Sequence, residues 1–84
     1  MYKMAKVDAY GFSISRMDYQ KYSDELRHAR GFVGMEENKK GLVCVFDTEN
    51  NAKICRNIMD FCDTQVGKTV FNVKISKEYM RKQK

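Results

Sequence analysis

The residues that could do chemistry are few. Cys44, Cys55 and Cys62 are three thiols separated by eleven and then seven positions. Zinc sites draw on pairs of ligands two to five residues apart, and no such pair is formed here. His28, in RHARG, is the single histidine and lies far from the cysteines in sequence. Its place at the end of an expected helix suits a cation near the negative end of the dipole better than a general base. Neither a serine nor a cysteine stands in a nucleophile-elbow pattern. Gly31 and Gly34, in GFVG, form neither a Walker loop nor a dinucleotide fingerprint. The carboxylate pairs Asp24–Glu25, Glu36–Glu37 and Asp60–Asp63 fall among lysines and arginines, where local ion pairing explains them. These patterns point to a non-enzymatic protein with no catalytic residue, no metal, no cofactor and no small-molecule substrate.

Binding chemistry is better represented. The 84 residues carry a net charge of +5, but unevenly. Residues 1–38 hold six basic and six acidic side chains, whereas residues 74–84 hold Lys74, Lys77, Arg81, Lys82 and Lys84 against Glu78 alone. The basicity belongs to the C-terminal end, and Lys39–Lys40 add a second small cluster. All seven residues could contact phosphates, and nucleic-acid binding through them is the alternative reading.

These residues need a scaffold. The chain has 43% apolar and 32% charged residues, which fits one small folded domain over 1–76 followed by a basic tail over 77–84. No apolar run reaches the roughly 20 residues of a membrane helix. The N-terminal MYKMAKVDAY lacks the continuous apolar stretch of a signal peptide. With an odd number of cysteines, a cytoplasmic location is expected.

In YGFSI, Tyr10, Phe12 and Ile14 alternate with small residues, which predicts a strand whose apolar side faces a core. Val7 and Ala9 have the opposite parity, which suggests a bulge or bend near Ala9–Gly11. Ser15 followed by Asp18 reads as a capping box opening one helix. Tyr19, Tyr22, Leu26 and Ala29 form its face, and Gly31 ends it. FVGME and GLVCVF predict a hairpin across the polar ENKKG turn. Asp47 or Thr48 caps a second helix. On that helix Ala52, Cys55, Met59 and Cys62 form one stripe and Ile54, Ile58 and Phe61 another beside it, together predicting a deeply buried face. TVFNVKI is a last strand, with Phe71, Val73 and Ile75 expected on the inner side.

The order strand, helix, strand, strand, helix, strand predicts an α+β ferredoxin-like split βαβ fold: a four-stranded antiparallel sheet with two helices on one face. In topology, and in the stretch KKGLVCVF, the chain resembles the RNA-recognition motif. Matching Phe46 to the last aromatic of that family's third-strand motif sets Lys39 on its leading basic residue. Gly41 and Val43 then occupy the positions of base-stacking aromatics, and neither can stack a base. Tyr10 would match the stacking aromatic of the first strand, but its parity with Phe12 and Ile14 assigns it to the core.

What remains is the sheet surface opposite the helices. If Leu42, Cys44 and Phe46 face inward, Val43 and Val45 face away, and Val70 joins them. These three valines are the expected partner-binding patch, for a protein partner or a homodimer, unless Tyr79 and Met80 of the tail fold back over them. The resulting reading is a small interaction or regulatory protein that docks on a partner protein or protein–nucleic-acid complex. In size and composition it resembles adaptors, and inhibitors of the phage or mobile-element type such as anti-CRISPR proteins.

Overall fold

In the computed structural model, residues 6–38 and 41–76 are described. Seven elements follow one another: β1 (Lys6–Ile14), α1 (Arg16–Lys21), α2 (Ser23–Arg27), β2 (Phe32–Asn38), β3 (Gly41–Phe46), α3 (Glu49–Phe61) and β4 (Phe71–Ser76). The strands form one sheet in the order β2-β3-β1-β4, and every neighbouring pair is antiparallel. Each βαβ unit is therefore split by a strand of the other, as the alternation of strand and helix patterns implies.

Both helical layers cover the same face of the sheet. Phe12 and Ile14 of β1 and Cys44 and Phe46 of β3 are buried against Leu26 of α2 and Ala52, Cys55 and Met59 of α3. Tyr10, Tyr19, Tyr22 and Leu42 pack around this cluster, so Tyr10 belongs to the core. Phe12 stacks on Phe46 at 5.8 Å between ring centroids, and Phe32 meets Phe46 edge-on at 5.7 Å. Both contacts are favoured aromatic geometries.

Four local expectations are corrected. The first helix is broken into α1 and α2 at Tyr22, whose φ of −115° and ψ of 24° leave the helical range. The two short segments still bring Tyr19, Tyr22, Leu26 and Ala29 onto one core. β1 is continuous, without a bulge: Val7 and Ala9 have the opposite parity because both faces of this strand are used.

Val43 and Val45 do lie opposite the helices, but they are 5% and 0% exposed. They form a second cluster with Ala9, Val33 and Ile75, with Val7 and Val73 at its margin. Gly11 makes room there, since a Cβ would sit 3.0 Å from Val43 Cγ1 and 2.5 Å from the Cys44 carbonyl oxygen. Finally, the last strand is turned over. Pairing with β1 sets Val73 opposite Ala9 and Ile75 opposite Val7, and cross-strand partners share a face. Val73 and Ile75 thus join the second cluster, while Val70 packs against the helix-side core.

The loop after α3 is stitched to the start of α1. Ser15 caps α1, its hydroxyl accepting the Asp18 N–H at 3.2 Å. The Asp18 carboxylate does not close the box on the Ser15 backbone; it accepts the Gln65 N–H at 2.7 Å. The Ser15 N–H in turn donates to the Gln65 carbonyl at 3.2 Å, and the Gly67 N–H to the Ser13 carbonyl at 2.8 Å.

Candidate protein-contact face

Of the two apolar stripes of α3, one is buried and one is bare. Ala52, Cys55 and Met59 are at most 5% exposed, whereas Ile54 is 49%, Ile58 53% and Phe61 93% exposed. A helix lying on one sheet face buries a stripe little more than a quarter of its circumference. The sheet accepts the Ala52–Cys55–Met59 line, and the Ile54–Ile58–Phe61 line is left pointing outward. This corrects the expectation of one broad buried face and puts three exposed apolar side chains on the helix; on the sheet, Phe71, expected inside, pairs with Gly11 on the side away from the helices and is 42% exposed.

Beside the bare stripe runs a groove of about 460 Å³ between α3 and the end of α2. Ala29, Ile54, Cys55, Ile58 and Met59 line it, with Glu25 and Arg30 among the polar residues at its side. The backbone holds the two walls together. Gly31 has φ +80°, a left-handed turn that a side chain would strain, and a Cβ there would collide with Asp47 and Asn51. Its carbonyl accepts the Asp47 N–H at 2.9 Å, and Asn51 Nδ2 donates to Asp47 Oδ1 at 2.9 Å. Arg30 is thereby fixed close to the first turn of α3, which Thr48 caps through the Asn51 N–H at 3.1 Å.

Charge along this face is polarised. Lys53 and Arg30 flank the Ile54 end; Lys53 shares Glu49 at 3.3 Å, while no ion pair or hydrogen bond among the described residues engages Arg30. Asp60 and Asp63 flank the Phe61 end, and the last turn of α3 contains no basic residue. Arg56 reaches Asp60 only at 3.9 Å and points instead to the Gly67 carbonyl, 3.0 Å from Nη1. Two carboxylates at the negative end of a helix dipole are unfavourable within the chain itself.

The other candidate groups are engaged in structure. Burial pushes the Cys44 thiol up to about 12, with Cys55 adding to it, and burial pushes Cys55 up to about 11. Both stay protonated near neutrality and pack as apolar side chains. Among the described residues no three His, Cys, Asp or Glu side chains gather around a common point. His28 Nδ1 is 2.8 Å from the Asp24 carbonyl oxygen, a contact within its own helix end. Arg16 pairs with Glu37. Of the basic residues considered for nucleic acid, Lys74 hydrogen-bonds Asp8, which raises its pKa and lowers that of Asp8. Lys39, Lys40, Lys77, Arg81, Lys82 and Lys84 lie outside the described residues, as do Tyr79 and Met80.

No family model, curated protein or solved structure matches the chain. Among the described residues no helix is long and apolar enough to cross a membrane.

Ile54, Ile58 and Phe61 read as a buried stripe in the sequence, and they exceed what the sheet can cover. The signal was present: Asn50 and Asn57 interrupt the same side of α3, and asparagine is rarely buried without partners. Arg30 and Glu25 carried no such signal, because their place beside α3 depends on the turn at Gly31.

Proposed function

We propose that this chain is a non-enzymatic interaction protein whose contact surface is the outer face of α3 with the adjoining α2–α3 groove. The ligand is an amphipathic helix of a protein, its apolar line edged by acidic residues. The observation that carries this reading is the 93% exposure of Phe61 at the end of the Ile54–Ile58–Phe61 line, beside an apolar groove. Exposed large apolar side chains arranged as a contiguous line mark partner contacts, and helix-in-groove recognition uses this spacing. Arg30, Lys53 and the positive end of the α3 dipole select acidic flanks at the Ile54 end. A small domain with such a face has the build of an adaptor or an inhibitor module, including inhibitors of the phage or mobile-element type.

A labelled helical peptide with apolar residues at i, i+4 and i+7 and aspartates on their flanks tests the reading by fluorescence anisotropy. It should bind more tightly than the same peptide with lysine flanks, and Ile58→Glu should abolish binding. Absence of binding, or binding indifferent to Ile58→Glu and to the flanking charge, would contradict it.

A further inference from the structure

We infer that the helix received by this face is α3 of a second copy of the chain, packed antiparallel about Asn57 and Ile58. The inference rests on the contact reading above and names its occupant.

The face is complementary to itself in one orientation. Residues 54 and 61 lie two turns apart on one line, and residues 57 and 58 lie midway between them. An antiparallel dyad at that midpoint sets Phe61 of each copy against Ile54 of the other. There the nearly bare ring lies beside the mouth of the apolar groove lined by Ala29, Ile54 and Ile58. Ile58 and Asn57 meet their own counterparts at the centre. In antiparallel helix pairs a flank faces the same flank of its partner with its direction reversed. Lys53 therefore comes opposite Asp60 of the second copy, displaced by about 3 Å along the axis, two residues of helical rise. Both side chains are more than half exposed, at 58% and 63%, so both can reach.

This arrangement also answers the local electrostatic fault. Asp60 and Asp63 sit at the negative end of α3 without a basic residue in the last turn. The antiparallel pair brings them toward the half of the second copy that holds Lys53 and Arg30, and it opposes the two helix dipoles favourably. A parallel pair would align the two helix dipoles and set each flank against the opposite flank of its partner, so that Lys53 would not meet Asp60 of the second copy. Two-fold pairing of one patch with itself is the commonest geometry of homodimers. A contact limited to one helix and a groove is at the small end of specific interfaces, so the dimer is a weak, micromolar one.

Sedimentation equilibrium of the full chain from about 10 µM to about 1 mM spans the relevant range. The expected result is a reversible monomer–dimer equilibrium. Phe61→Asp should leave a monomer whose thermal unfolding is unchanged, separating contact from folding. Lys53→Glu and Asp60→Lys should each weaken the dimer about tenfold. Mixing these two variants should restore it, because each copy then supplies the charge the other lacks. A chain monomeric at every concentration overturns the inference, as does a dimer indifferent to Phe61→Asp and to both charge reversals. If the chain is monomeric yet still binds the acid-flanked peptide, the occupant is a helix of another protein and the contact reading survives. If it neither dimerises nor binds the peptide, both fall.

Discussion

Phe61 stands two turns beyond Ile54 on the same line of α3 and is 93% exposed where Met59, two residues earlier, is 3% exposed. The side chains that hold the fold and those that face solvent are thus interleaved on one helix. Substitutions on α3 should separate accordingly. Met59→Ala should cost about 2–5 kcal/mol, through lost transfer energy and a cavity under the sheet. Phe61→Ser should leave stability within about 0.5 kcal/mol of the parent, as surface changes do. Urea unfolding of the two variants checks this; comparable losses from both would place Phe61 in the core.

Asp63 adopts φ 63° just past the C-cap Cys62, a position that usually holds glycine. Asp63→Gly should raise stability by about 1 kcal/mol by relieving the left-handed backbone. It also removes one acid from the Phe61 end of the contact face. Stability should rise while association weakens, a divergence that a purely structural role for Asp63 would not produce. Thermal denaturation and sedimentation on the same variant read the two effects.

Acid should loosen the junction between α1 and the loop after α3. The Gln65 N–H, and next the Ser15 hydroxyl, hold the Asp18 carboxyl below its ordinary 3.8. A carboxylate with a depressed folded pKa contributes stability that is complete above the unfolded value and is lost as pH falls through the folded one. The contribution is therefore present above about pH 4 and fades below it. Asp18→Asn, which keeps an acceptor but no charge, should flatten the fall in melting temperature in that window. An unchanged acid slope would show that Asp18 makes no such contribution.

The thiols should differ in reactivity. Cys44 and Cys55 are buried, with pKa values pushed up to about 12 and about 11, whereas Cys62 at the C-cap is partly exposed. One equivalent of thiol should react with an aromatic disulfide reagent in the native protein, and two more on unfolding. Rapid reaction of all three would mean that the cluster of Cys44 and Cys55 with Met59 opens readily.

Alternation and capping made much of the architecture legible. GLVCVF set Cys44 and Phe46 to the helices and Val43 and Val45 away from them, and the caps at Ser15 and Thr48 mark where α1 and α3 begin. The errors share one cause. Sequence parity says which residues share a face, but not which face is covered. Val7, Ala9, Val73 and Ile75 match the parity of a second buried cluster, and only the β1–β4 register reveals it. Ile54, Ile58 and Phe61 similarly look like core until the width of the helix–sheet contact is known. Arg30 was illegible because the turn at Gly31 brings it to α3 from a distant part of the chain.

Whether the outer face of α3 is the contact surface can be read residue by residue from backbone amide shifts during titration with the acid-flanked helical peptide. The expected perturbations centre on Ile54, Ile58 and Phe61 and extend across the groove to Ala29 and Arg30. Perturbations centred on the strands, or none at saturating peptide, would show that α3 is not the contact surface.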